Sequence, residues 1–348
     1  MGVRAVPFGP ELMDAFSDFS AATWKHQQTP EWLAWRYLKC PSLRGILVME
    51  DGRCVASAFA FERPWLVDGE RRTVLETVDW ATLPELRGSG VGIRALQRLS
   101  RAQEPLLAIG GSADTNVLVE RMGYAPVGEI LGFVLPVGSA RLAEKLHQDR
   151  GVPKPLGRVA GWLATRSVFR APLMRRPAGG QVVPVAFLDE QATRLHAQGS
   201  YHRASALPDD SWLRWVRSDR ENGVWVSLEF RVHGALVGYA VGRVWHRNGR
   251  VEALLADAFS SEADPSLWSW VVGELTTRLR GFSPGVIWAR AASPRLQQAL
   301  IANRFQVASR HVLRVHAGQS GSLTGPLHVA ALSSDQALLP YESGVITA

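Results

Sequence analysis

Two carboxylates and a glycine-rich turn lie close together in the chain. Glu76 and Asp79 precede Ala81 and Thr82, and Arg87-Gly88-Ser89-Gly90-Val91-Gly92 follows, leading into the amphipathic run Ile93-Arg94-Ala95-Leu96. A carboxylate can serve as a general acid or base. Glycines let the backbone turn tightly and approach a ligand closely. Their N–H groups, backed by a helix N-terminus and joined by the Arg87 cation, suit an anion such as a pyrophosphate. The spacing Gly88-x-Gly90-x-Gly92 departs from the dinucleotide fingerprint Gly-x-Gly-x-x-Gly, and the Gly-Lys-Ser/Thr of a nucleotide P-loop is absent. Strand alternation puts Glu76 and Asp79 on opposite faces, so one of the two should face a ligand. An ordinary ion-paired or surface carboxylate is the alternative for either, and Glu252 occupies the place matching Glu76 later in the chain. The nine His show no metal-ligand spacing, so no metal site is expected. Most of the thirteen Trp read as core, with Trp24 and Trp80 as candidates to stack on a ligand.

The elements that must position this turn occur twice. Trp32-Leu33-Ala34-Trp35 recurs as Trp212-Leu213-Arg214-Trp215, and Asp51-Gly52 between two apolar runs recurs as His233-Gly234. Gly123-Tyr124 recurs as Arg304-Phe305, all at an offset of 180 to 182. In each half a helix with the Trp pair precedes strands, at 45–50, 54–62 and 73–82, then at 224–230, 235–244 and 251–259. A helix (90–101 and 266–280), a strand (106–110 and 286–290), a short helix (114–122 and 294–303) and a last strand follow. The expectation is a mixed α/β fold, two tandem copies of a mostly antiparallel sheet flanked by helices. The copies span 1–136 and 181–317, with a partly helical linker at 137–180 and a tail at 318–348. The second copy has lost the turn: Gly88–Gly92 map onto Asp264-Pro265-Ser266-Leu267-Trp268, which has no glycine and puts an acid where an anion would sit.

Composition narrows the class. At 348 residues and 46% hydrophobic, the chain suits two ordinary domains rather than a disordered or coiled-coil protein. No run approaches 18 apolar residues, the N-terminus has no apolar signal core, and Val6 stands where a myristoylation signal has Ser or Thr. These read as a soluble, cytoplasmic chain in which Cys40 and Cys54 are reduced structural thiols. The net charge of +7 is local. Residues 137–180 carry nine Lys/Arg against Glu144 and Asp149, which is +7, so the remainder is neutral. This segment could meet a phosphorylated substrate, a membrane surface or RNA, or serve as a solvated linker; Trp162–Arg176 mixes apolar residues with Arg at helical spacing.

The stretch Ala81-Thr82-x-Pro84-Glu85-x-Arg87-Gly88-x-Gly90-x-Gly92 resembles the acetyl-CoA motif of the Gcn5-related N-acetyltransferases. Trp35-Arg36-Tyr37 followed by Pro41 resembles the N-terminal helix of bacterial members, and Gly123-Tyr124 the Gly-Phe that closes the second cofactor motif. The resemblance implies acetyl-CoA or another acyl-CoA as co-substrate, held by the backbone of Ala81 and Thr82 and the amides of Arg87, Gly88, Ser89, Gly90, Val91 and Gly92. It implies direct attack by an amine, with Glu76, near the place where many members of the family hold their general base, favoured over Asp79 as base. The family's helix-starting Asn maps to Ser112, with Asn116 one turn on, and its acid Tyr maps to Val119, or Leu300 in the second copy; neither can donate a proton. The implied acceptor is the amine of a small molecule or amino sugar, with no DNA partner. Two other readings are a tandem aminoacyl transferase of the peptidoglycan-bridge type using charged tRNA, and a non-catalytic acyl-CoA-binding protein.

Overall fold

The structure is a computed structural model. It describes residues 2–24, 29–111, 113–167, 175–188, 190–199, 201–218, 223–247, 250–316, 323 and 325–333. The first run of elements is β1 (Arg4–Pro7), α1 (Met13–Thr23), α2 (Pro30–Leu33), β2 (Leu43–Glu50), β3 (Arg53–Val67), β4 (Glu70–Thr82), α3 (Val91–Leu99), β5 (Leu106–Ile109), α4 (Ala113–Arg121) and β6 (Ala125–Pro136). Next come α5 (Ser139–Arg150), α6 (Lys154–Ser167), β7 (Gly180–Val185), α7 (Glu190–Gln198) and β8 (Ala204–Ala206). The second run is α8 (Asp210–Ser218), β9 (Val224–Val232), β10 (Ala235–Arg247), β11 (Arg250–Ser260), α9 (Pro265–Arg280), β12 (Val286–Ala291), α10 (Pro294–Ala302) and β13 (Gln306–His316), followed by β14 (Leu327–His328).

The hairpins form where the turn chemistry places them. Asp51-Gly52, Asp68-Gly69 and His233-Gly234 each have two successive positive φ angles, near 50° and 84°. That twist suits a two-residue turn between right-handed strands. The Trp-pair helix of the first run is short and widens into a π-helical turn over Ala34–Leu38. Trp35, Arg36 and Tyr37 are consecutive and all buried.

The chain forms two compact units that do not follow chain order: Met1–Val127 with Val312–Thr324, and Gly128–His311 with Gly325–Ala348. In the first, β1 to β4 run antiparallel in sequence, and β5 joins β4 in parallel. The end of β13 then pairs antiparallel with β5, from Leu313↔Ile109 to His316↔Leu106. In the second unit β7, β9, β10 and β11 run antiparallel, β12 joins β11 in parallel, and β6 pairs antiparallel with β12 from Leu131↔Ala291 to Pro136↔Val286. Thus each run's last strand lies against the penultimate strand of the other run. A boundary at 136 leaves β6 with the first run, whereas its hydrogen-bond partner places most of it in the second unit. Local patterning marks a strand but not its neighbour. The tail differs too: Leu327 to Leu332 is buried in the second unit. Trp35, Trp65, Trp212, Trp215, Trp245, Trp268 and Trp270 are buried, as large aromatics in a core should be.

Candidate functional site

The glycine-rich turn sits at the end of a strand that leaves its neighbour. β4 and β5 pair only at Leu75↔Leu106 and Glu76↔Leu107, although β4 runs on to Thr82 and β5 to Ile109. On its other edge β4 stays bonded to β3 through Ser57↔Ala81 and Ala56↔Thr82. Between Phe59↔Val78 and Ser57↔Ala81, Ala58 faces two residues, Asp79 and Trp80. This is a β-bulge, with Asp79 at φ +48°. It turns β4 away from β5 and opens a slot lined by the backbone of Ala81 and Thr82.

The loop beyond is tightly built. Leu83 is buried and donates its N–H to the Val55 carbonyl. Pro84–Leu86 forms one 3-10 turn. Gly88 and Gly90 both have φ +85°, the left-handed region in which a Cβ is costly. Gly92 is needed for a different reason: a Cβ there would run into the Thr82 hydroxyl. Trp80 Nε1 donates to the Gly92 carbonyl at 2.8 Å, tying the first turn of α3 to the strand. Trp80 therefore braces the loop, while the Trp24 ring packs edge-on against Phe16 and Phe19. The N–H groups of Arg87, Ser89 and Ile93 donate to the carbonyls of Pro84, Leu86 and Gly90, and Val91 N–H reaches Ser89 Oγ. Ser89 Oγ itself donates to the Leu86 carbonyl at 2.7 Å. Among the described residues no acceptor meets the amides of Gly88, Gly90 and Gly92, and none meets the exposed Arg87 guanidinium. These three amides, rather than all six of the loop, are open to an anion at the start of a helix.

The two carboxylates differ. Glu76 is fully buried, and Trp65 Nε1 donates to its Oε1 at 3.0 Å. Asp79, at the bulge, keeps a side-chain exposure of 12%. Its Oδ2 accepts Arg36 Nε at 3.0 Å, Arg36 Nη2 at 2.6 Å and the Tyr37 hydroxyl at 2.8 Å. The bulge breaks the alternation on which the opposite-face expectation rested. Arg36 is fully buried beneath the Trp32, Tyr37 and Phe61 rings. Burial, then the Asp79 charge, pushes the Tyr37 hydroxyl well above its ordinary range, so it stays a donor. The Trp-Arg-Tyr motif thus anchors the strand two residues before Ala81, a link that nothing in its sequence position announces.

Ser112 lies outside the described residues. Asn116 and Glu120, one turn apart on α4, are held by Arg314 of β13: Nη1 and Nη2 donate to Asn116 Oδ1 and Glu120 Oε1, each at 2.7 Å. Asn116 Nδ2 also reaches the Gly111 carbonyl at 3.4 Å. Arg314 went unnoticed in the sequence because it stands about 200 residues from its partners. Val119 and Leu300 are both buried core residues.

In the second unit the matching region is closed from within. The β11–β12 ladder runs four pairs, from Glu252↔Val286 to Leu255↔Ala289, and β11 bulges at Ala256. Beyond it the chain's own C-terminal stretch bonds to both strands. Leu332 N–H donates to the Ala256 carbonyl at 2.7 Å, Ala292 N–H to the Val329 carbonyl at 2.9 Å, and Ala330 bridges Ala291. A buried polar chain secures this stretch. His328 Nε2 lies 3.0 Å from Asp257 Oδ1, the Tyr239 hydroxyl donates to Asp257 Oδ2, and His196 links Tyr239 to Ser205. At the start of α9, Asp264 accepts the Ser266 N–H at 2.8 Å and its hydroxyl at 2.7 Å, which hold the Asp264 carboxyl below its usual range.

Comparison with known proteins agrees with this geometry. Residues 7–125 match the family model described as an acetyltransferase (GNAT) domain. No curated protein sequence matches. Among solved structures, a probable N-acyltransferase from Enterococcus faecalis V583 superposes with a TM-score of 0.62 at 12% identity, over 92% of this chain and 73% of that one. N-myristoyltransferase from Saccharomyces cerevisiae with bound myristoyl-CoA gives 0.57 at 13%, over 90% and 82%. Eis1 from Mycobacterium abscessus gives 0.52 at 14%, over 90% and 73%. At these identities the structures share the fold, and the matched domain contains both the β4–β5 slot and the three-amide turn. Residues 7–125 thus form an acetyltransferase (GNAT) domain, and the chain as a whole shares the fold of these structures.

Proposed function

We propose that the first run of elements binds acetyl-CoA or another acyl-CoA and that the enzyme transfers the acyl group to the amine of a small molecule or amino sugar. One observation carries the reading: the β4–β5 slot leads directly into a loop with three amides and an arginine that have no partner among the described residues. The slot suits an extended arm with amide groups, and the turn suits its pyrophosphate. Myristoyl-CoA bound to the similar yeast N-myristoyltransferase supports the cofactor class. The chain would be a doubled one in which the second run keeps the fold without the cofactor loop.

Transfer needs little covalent help from the protein. The neutral amine nitrogen attacks the thioester carbonyl, the C–S bond breaks as the tetrahedral adduct collapses, and CoA leaves as a thiolate. Proximity supplies much of the rate. The nitrogen's proton goes to a carboxylate or a water, and the thiolate takes one from solvent. Of the two carboxylates, Asp79 is the better supported acceptor: its Oδ1 carries no protein hydrogen bond among the described residues, whereas Glu76 is enclosed. Acetyl-CoA at millimolar concentration should raise the thermal midpoint, and an amine panel should reveal CoA release. No midpoint shift overturns the reading. Asp79→Asn should keep the shift but lower kcat by about 100-fold; unchanged kcat removes Asp79 from the chemistry. A second reading, an acyl-CoA binder without turnover, is favoured by the buried Val119 at the position of the family's acid tyrosine. Binding with no CoA release across the panel would select it.

A further inference from the structure

The helical pair α5–α6 is built inside out. Gly157 and Gly161 are buried on the face of α6 that meets α5. A Cβ at Gly157 would stand 3.1 Å from the Ala143 carbonyl oxygen, and one at Gly161 would stand 2.5 Å from that of Ser139. The close contact therefore uses the smallest residues, and the large apolar ones point elsewhere. Leu156, Val159 and Leu163, at the i, i+3, i+7 spacing of one helix face, are 63%, 58% and 53% exposed, and Trp162 beside them is 47% exposed. Four of the eleven large exposed hydrophobic side chains among the described residues thus fall on one helix of fourteen residues. Single exposed apolar residues are ordinary, but a grouped stripe marks a contact surface.

Its charge says what kind of surface. From 139 to 167 the chain carries six Lys/Arg (141, 145, 150, 154, 158, 166) against Glu144 and Asp149, a net +4, and three more arginines (170, 175, 176) follow by residue 180. The other residues of the chain sum to zero. Arg150, Lys154, Arg158, Arg175 and Arg176 are exposed. On the α6 wheel Lys154 and Arg158 lie beside the apolar arc, between it and the glycine face, where long cationic side chains can reach headgroups while the stripe enters the acyl boundary. A soluble anion or RNA would use the cations but leave the stripe in water.

We propose that α6 docks this enzyme on an anionic lipid surface, with Leu156, Val159, Trp162 and Leu163 in the headgroup–acyl boundary and the neighbouring cations on the headgroups. The test is cosedimentation of the full chain with vesicles of phosphatidylcholine containing 30% phosphatidylglycerol, taking that composition as roughly that of a strongly anionic leaflet. Binding should be at least about tenfold tighter than to pure phosphatidylcholine and should weaken at least about tenfold in 0.5 M salt. The double variant Leu156→Glu/Val159→Glu should lose about tenfold in vesicle affinity while its acetyl-CoA thermal shift stays that of the parent, which shows that the fold is intact. No binding to the anionic vesicles, or equal binding by the double variant, overturns the proposal. So does a concentration-dependent dimer, seen by analytical ultracentrifugation without lipid, that the double variant abolishes; a second copy would then be the occupant. The vesicle result is independent of cofactor binding, so each reading can fail without the other.

Discussion

Two helix starts in this molecule stand at the same place in the order of elements and end in opposite ways. At α3 the backbone turns through Gly88 and Gly90 and leaves the amides of Gly88, Gly90 and Gly92 open. At α9 Asp264 sits at the cap and binds the Ser266 amide with its own carboxylate. The strands behind them differ in the same sense. β4 and β5 part after two pairs and leave a slot, whereas the gap beyond the four pairs of β11 and β12 is bonded across by residues 329–332. The lesson is that a helix N-terminus and a splayed strand pair must be satisfied by something. A protein can supply that partner from its own chain or leave it to a ligand. Here the second run supplies it from its own chain, and the first run leaves it open.

Changes at the open site should have the largest effect. Gly90→Val places a β-branched residue at φ +85° in the middle of the loop. The acetyl-CoA thermal shift should vanish, with stability lowered by about 1–2 kcal/mol, read by calorimetry with and without ligand. Ser266→Val, one residue inside α9, should leave the shift intact. A surviving shift in Gly90→Val would mean the two helix starts do not differ as described.

Truncation after Gly325 should be next. It removes the buried Leu327, Val329 and Leu332 together with the His328–Asp257 contact. The thermal midpoint should fall by about 10 °C, with no second acetyl-CoA equivalent gained in calorimetric titration. Binding of a second equivalent would show that the closed copy retains a latent site.

Acid should loosen the same region by a smaller amount. Burial, then the neighbouring His328, pushes His196 well below its ordinary range and His202 down to about 2. Both are neutral in the fold, while their unfolded forms take a proton near pH 6.5. The unfolded state therefore binds more protons below that pH. Stability present above pH 6.5 is lost progressively as the pH falls from there toward 2. A pH series of thermal midpoints should show this decline, and His202→Phe should reduce its slope. A midpoint flat from pH 7 to 5 would count against neutral, enclosed histidines.

The smallest effect is expected at the closed helix start. Asp264→Ala removes a cap and should cost about 1 kcal/mol in urea unfolding, with the acetyl-CoA response unchanged. An altered response would tie the closed copy to cofactor binding.

The glycine-rich loop was legible because its demands are local. Positive φ requires glycine, the strand must stop at Pro84, and the helix that follows shows its own periodicity. The repeat and most elements were legible for the same reason, down to the turns at Asp51-Gly52 and His233-Gly234. The carboxylates were not, because exposure depends on neighbours: Trp65 covers Glu76, and the bulge at Asp79 shifts the alternation used to aim it. The Arg36–Asp79 and Arg314–Asn116 contacts span 43 and 198 residues, and no short window contains them.

By itself, then, the sequence determined an α/β pattern whose order of elements recurs, one glycine-rich turn of a kind that suits an anion, and a basic segment holding the whole net charge. Those features rest on backbone conformation, periodicity and composition, which are properties of short stretches. Tertiary structure alone decided which strand closes which sheet, which carboxylate stays accessible, what fills the gap in the second copy, and that α6 turns its glycines inward and its leucines out. Each of those depends on which distant segment supplies a hydrogen bond or covers a face, and that choice is made only when the chain packs.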